Sequence, residues 1–398
     1  MAFRRFSLVA GAAVMGGCNL LTGVSDLHLK GAGSAGTAGH GAGGTGGTGG
    51  STAPATGATG GGATAGATMA TGSGATSSAT GGGPACAPAC GAHRYCEAST
   101  HLCVCDPGFV DMGGTCSAAA PGDPTTHTQA DVCARWASGH VLTATAPFSA
   151  GSECDPGVLG QAAIVDTLVR LNMFRWMVGL GPTSDDPALD VDAQKCANLE
   201  SWWPWTGGSP HQPPASSKCY TPEGGATAGQ SNIAWGSGNP AQAIDQFMAD
   251  QGNQTTMGHR RWLVNPPLDP VGIGYWQTGG MYGNAECLRV FGAGGTGPNP
   301  PWLAVPPPGF VPLDVTAWTW TFHGSLGGVP GAQITMLRVD DNMPLAVTVI
   351  TLSQGYALDA ISWTPNGWAP EAGKTYRVTV GGLAGGDVVY EVKPVACN

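Results

Sequence analysis

The chain has 398 residues, 11% charged and 42% hydrophobic, with a formal net charge of −10. It contains no basic run, so nucleic acid is excluded as the expected partner. From the N-terminus, Arg4 and Arg5 precede the apolar, small-residue stretch "FSLVAGAAVMGG". That stretch ends at Cys18 and is too short to span a bilayer, so residues 1–18 are predicted to be an export signal.

"MGGC" resembles a bacterial lipobox, which implies a lipidated Cys18 at the mature N-terminus. An ordinary signal peptide with an incidental cysteine is the alternative. Asn19 resembles the outer-membrane-directed pattern, so the expected location is the bacterial cell envelope, as an outer-membrane lipoprotein or a secreted protein. Residues 19–84 are predicted to be a disordered tether; from 31 onward they are almost wholly Gly, Ala, Thr and Ser. Such a stretch has too few apolar groups to offset the entropy of ordering its backbone.

Removing Cys18 from the thirteen cysteines leaves twelve, an even number suited to an oxidising compartment. Six lie in residues 85–120: Cys86, Cys90, Cys96, Cys103, Cys105 and Cys116. Six cysteines alone allow fifteen connectivities. The close pair Cys103-Val-Cys105, followed by "DPGF" and a last cysteine, resembles an EGF-like module. That resemblance implies the bonds Cys86–Cys96, Cys90–Cys103 and Cys105–Cys116. A zinc knuckle is the rival reading, better suited to a reducing compartment.

The main domain is expected over residues 125–295. Three helices are predicted, each opened by a side-chain acceptor and a proline: Asp155-Pro156, Asp186-Pro187 and Asn239-Pro240. The first carries Ile164, Leu168, Leu171 and Val178 at helical spacing and stops at "GLG". Two strands follow, 271–276 and 285–292, the second alternating Ala285, Cys287, Arg289 and Phe291 against Glu286, Leu288 and Val290. Helices first and strands last predict an α+β layered domain.

Over residues 160–292, eight ordered segments carry a family resemblance. They include "LVRLNMFRWMVGLGP", "SPHQPP", "GQSNIAWG", "AIDQFMADQGN", "GHRRWLVNP" and "CLRVFG". The stretch resembles the CAP superfamily of cysteine-rich secretory, antigen 5 and pathogenesis-related proteins, also called SCP-like. The resemblance implies an α-β-α sandwich with a cleft in which two histidines and two glutamates can bind a divalent metal. His211 matches the first cleft histidine and His259 the second. Ser231 stands where the family has its first glutamate, and Asn232 follows as a residue expected to hold backbone. Counting from Phe247 reaches Asp250 in place of the second glutamate. His211, His259 and Asp250 would then be three ligands for zinc or another divalent metal, with a fourth position open.

Arg260 and Arg261 are expected to serve local salt bridges or helix ends. Trp202, Trp203 and Trp205 are expected to pack in the core or at its rim. Outside the small module, one disulfide scheme pairs Cys196–Cys219, Cys133–Cys154 and Cys287–Cys397; another pairs Cys154 with Cys287.

Residues 300–398 open with a proline-rich join, read as a stiff spacer, and continue as short strands. "VTAWTWTFHG" puts Trp318, Trp320 and Phe322 on one strand face. The pattern predicts a β-sandwich of immunoglobulin-like type. Three functions compete. One is a non-catalytic, lipid-anchored exterior protein whose cleft takes a small lipid-like or peptide ligand, with an extracellular protein partner at the flanking modules. The second is a metal-dependent hydrolase. The third is a purely structural envelope or adhesion protein.

Overall fold

The computed structural model describes Cys86 and residues 90–97, 99–144, 146–150, 152–277, 283–292 and 294–397. The expected signal, Cys18 and the tether over 19–84 lie outside the described residues. The small module is two antiparallel hairpins: β1 (Arg94–Glu97) with β2 (Leu102–Cys105), and β3 (Phe109–Asp111) with β4 (Cys116–Ala118). Its bonds run Cys86–Cys96, Cys90–Cys103 and Cys105–Cys116. The sulfurs of Cys86, Cys90 and Cys103 lie within 4.8 Å of one another. All three are oxidised and offer no thiolate to zinc, which removes the knuckle reading. The module is seated on the middle region, where Asn172 Nδ2 donates to the Pro107 carbonyl at 2.8 Å.

The middle region begins with α1 (Gln129–Gly139), whose Thr128 and Asp131 form a reciprocal capping box. Then come β5 (Phe148–Ser149), β6 (Val158–Leu159) and α2 (Gln161–Met177). The expected start of α2 at Asp155-Pro156 is corrected. Asp155 Oδ1 instead accepts from Gly157 N at 2.9 Å, and Gly157 has a φ of 63°. This turn sends the chain into β6, and the helix begins only after Gly160. The side-chain-plus-proline start does open three helices: α3 (Pro187–Glu200) at Asp186, α4 (Pro222–Ala228) at Thr221, and α5 (Pro240–Ala249) at Asn239.

With β7 (Ser231–Trp235), α6 (Gly258–Leu263), β8 (Gly272–Gln277) and β9 (Asn284–Arg289), the layers are complete. The three-stranded antiparallel sheet has the order β7-β9-β8. On one face, Cys196 and Ala197 of α3 and Ala228 of α4 pack on Ile233, Ala285 and Cys287. On the other, α2 and α5 pack Leu168, Ile244 and Phe247 on Ala234, Tyr275 and Leu288. Gly274 explains how closely α3 approaches: a Cβ there would lie 2.1 Å from the Ala193 carbonyl. The expected polar–apolar alternation of the last strand is corrected too. β9 is the central strand, covered on both faces, so even Glu286 is fully buried.

The remaining chain forms β10 (Trp302–Val305), β11 (Gly309–Pro312), α7 (Leu313–Thr316), β12 (Trp320–Gly324), β13 (Gln333–Arg338), β14 (Met343–Leu345), β15 (Val347–Thr351), β16 (Asp359–Pro365), β17 (Tyr376–Gly381) and β18 (Val388–Val395). One sheet has the order β10-β12-β16-β15, the other β11-β18-β17-β13-β14. All pairs are antiparallel except β11 with β18. Trp302 and Tyr390 meet between the two sheets, with ring centroids 5.5 Å apart. The proline-rich join is therefore no spacer, because it contributes β10 and β11. Trp320 and Phe322 are buried core residues as expected, but Trp318 precedes the strand and is only partly buried.

Two buried arginines on α6 fasten the second body of sheet to the first. Arg260 donates from Nε to the Met248 carbonyl (2.5 Å), and from one terminal nitrogen to Thr319 O (2.5 Å) and Thr321 Oγ1 (3.1 Å). Arg261 donates to the carbonyls of Thr256 (3.1 Å), Ser353 (2.6 Å) and Leu358 (2.8 Å). The expectation of salt bridges is corrected, since both guanidiniums are interior and serve carbonyls from two regions, while the expected helix-end role holds for Arg260, which bonds the last carbonyls of α5, Met248 and Ala249. Ser353 N also donates to Thr255 O at 2.8 Å. Apolar residues of both regions accordingly belong to one core cluster.

The long-range disulfides are Cys133–Cys397, Cys154–Cys219 and Cys196–Cys287, which corrects all three expected pairs. The alternative pairing of Cys154 with Cys287 is not formed either. Cys196 lies on the α3 face that meets β9, and there it finds Cys287. Cys219, at the far end of the loop, reaches Cys154 instead.

Replacing Arg261 with alanine strands several buried carbonyls. The expected loss is about 3 kcal/mol or more, since each stranded acceptor costs roughly 1–3 kcal/mol. Arg261→Lys should recover little, because an ammonium cannot span carbonyls from two directions. Denaturant unfolding of the three proteins measures both.

Candidate functional site

His211 sits in the turn between α3 and α4 and His259 on α6, and both rings are buried. His211 Nδ1 donates to the Ala228 carbonyl at the end of α4, 2.9 Å away. His259 Nδ1 bonds Asp250 Oδ1 at 2.9 Å. Each ring is thus held in orientation through its Nδ1 contact. Burial lowers the pKa of His211, and the charge of His259 adds a smaller push in the same direction.

Asp250 takes its place through backbone geometry. It follows α5 in the left-handed region, with φ 50°, and is almost fully buried. Its Oδ2 accepts from Arg260 N at 3.3 Å while Oδ1 holds His259. Arg260 also feels this carboxylate, which opposes the effect of burial; burial brings the guanidinium down to about 10. The aspartate therefore ties the histidine to the arginine clamp.

The three expected ligands do not fit one metal centre. Asp250 stands behind His259, on the nitrogen away from any shared ligand. Among the described residues, the cysteines Cys86, Cys90 and Cys103 form the only group of three or more such side chains whose ligand atoms lie within 4.8 Å. Ser231 is fully buried at the start of β7, and its Oγ donates to the Thr227 carbonyl at 2.8 Å. That hydroxyl is held inside the fold and is not presented to a substrate. Asn232 Nδ2 donates to the His259 carbonyl at 2.9 Å, so it holds the α6 backbone at His259. Trp203 packs on Trp205 and Trp235, while Lys218 Nζ lies 3.5 Å from the centre of the Trp202 ring.

Sequence reasoning missed two carboxyl groups. Glu200, ending α3, and Glu286, on β9, are both fully buried. Neither has a hydrogen-bond partner for its carboxyl oxygens among the described residues. Burial pushes both well above the ordinary glutamate value and so favours the neutral acid. The available signal for Glu286 was a lone acid in the apolar run "AECLRVF".

These groups give opposite pH slopes. Burial, with His259 adding to it, lowers His211 to about 4 from 6.5. Between those values the unfolded chain binds the proton and the fold does not, so stability falls on acidification. The full loss is on the order of 3 kcal/mol. The two glutamates act the other way. Above 4.5 the unfolded chain ionises while the folded acid stays neutral, so stability falls as pH rises. In a series of thermal melts against pH, His211→Gln should flatten the acid limb, and Glu286→Gln should flatten the alkaline limb and raise the midpoint there.

No curated protein matches this chain. One family model does match, over residues 168–287, a span that holds His211, Ser231, Asn232, Asp250 and His259. That model describes CAP, the cysteine-rich secretory protein family, and it supports a CAP domain over this part of the chain.

Proposed function

We propose that this is an exported, lipid-anchored CAP-domain protein whose His211–His259 cleft binds a small lipid-like or peptide ligand without turning it over. The observation that carries the reading is the matched anchoring of the two rings: each Nδ1 is occupied, that of His211 by the Ala228 carbonyl and that of His259 by Asp250. Ser231, engaged with Thr227, supplies no nucleophile to that cleft. Six disulfides support an oxidising compartment. A divalent metal would have two protein nitrogens here, fewer than the three protein ligands of a catalytic zinc site. The small module reads as EGF-like and the paired C-terminal sheets as an immunoglobulin-like sandwich, both suited to an extracellular protein partner.

One observation favours a second reading, hydrolysis. A carboxylate holding His259 Nδ1 at 2.9 Å is also how a general base is oriented. Titrating the full chain with fluorescent fatty acids, sterols and short peptides, with and without zinc, separates the two. The binding reading expects uptake that weakens about tenfold, near 1.4 kcal/mol, in His211→Ala and in His259→Ala. No uptake of any probe overturns it. Ester or peptide turnover abolished by His259→Ala would establish hydrolysis instead.

A further inference from the structure

A cleft of about 1050 Å³ opens where the turn after α5 faces the C-terminal sheets. Its lining includes neither His211 nor His259. One wall carries Gln251 and Gln254; the other carries Asp314, Trp318, Thr364 and Trp368. Asp314 is the one ionisable side chain in that lining, and no lysine, arginine or histidine joins it. The chemistry is two indoles, two planar amides, threonine hydroxyls and one carboxylate.

Both indoles are partly buried and held in place. Trp368 Nε1 donates to the Ala346 carbonyl at 2.6 Å, and its ring stacks on Tyr376 with centroids 5.4 Å apart and planes 20° from parallel. Trp318 packs against Phe174, 5.8 Å away, and lies 6.0 Å from the Arg260 guanidinium. Rings fixed before binding lose little entropy when a ligand stacks on them. Amides and a carboxylate offer donors and acceptors to a hydroxyl-rich ligand, whereas an anion would meet no cation.

We propose that this cleft is a binding site for a neutral saccharide chain, with pyranose faces on Trp318 and Trp368 and hydroxyls on Asp314 and Gln254. An acyl chain would desolvate the Asp314 carboxylate and the Gln254 amide without pairing them. A proline-rich peptide could also use indole faces, but it has few hydroxyl or N–H donors for Asp314.

The test is isothermal titration of the full chain with cellohexaose, xylohexaose and chitohexaose, and with a decaproline peptide. At least one hexasaccharide should bind, and Trp368→Ala and Asp314→Ala should each weaken it about tenfold or more. His211→Ala should leave it unchanged, so failure here and failure of the histidine-cleft reading are separable. Because Trp368 also packs on Tyr376, thermal melts accompany each variant; if Trp368→Ala unfolds, the exposed Asp314→Ala and Gln254→Ala decide. The proposal is overturned if no hexasaccharide binds at millimolar concentration. It is equally overturned if the folded variants bind like the native chain, or if decaproline binds through these residues and the sugars do not.

Discussion

The fold rests on two adjacent guanidiniums that have no surface role. Arg260 and Arg261 lie one after the other on a six-residue helix, yet their donors reach carbonyls on α5, before β12 and around residues 353–358. A guanidinium suits this task because it is planar, stays charged and carries five donors. Carbonyls from separate chain segments can then converge on one interior cation without leaving polar groups unpaired. The same device recurs on α2, where Arg175 serves the carbonyls of Gly181, Leu263 and Asn265. Buried arginines thus add fixed angles to the apolar core that the regions share.

The His259 ring inherits its orientation from that clamp. Asp250 touches both sides: one oxygen on His259, the other on the backbone of Arg260. A shift of α6 relative to the C-terminal sheets would therefore move the His259 ring. The orientation of the His259 ring and the packing of two regions are coupled through one carboxylate.

What could be read in advance was mostly local. Asp186-Pro187 and Asn239-Pro240 start helices because capping and proline geometry are decided within one turn. Asp155-Pro156 carried the same signal and failed, because Gly157 let the aspartate close a tighter turn. His211 and His259 could be placed by family resemblance, but the partner of each Nδ1 could not, and that partner moves Asp250 from ligand to support. Charged residues read as solvated by default, so Arg260, Arg261 and Glu286 were misjudged; their burial depends on segments far away in sequence. The long-range disulfides failed for the same reason, since their partners are 65, 91 and 264 residues apart.

The widest of these bonds, Cys133–Cys397, closes the middle and C-terminal regions into a covalent loop. Tension applied at the two ends of that loop would run through a single sulfur–sulfur link and never load the arginine contacts inside it. A single protease nick within the loop would likewise release no fragment until the bond is reduced.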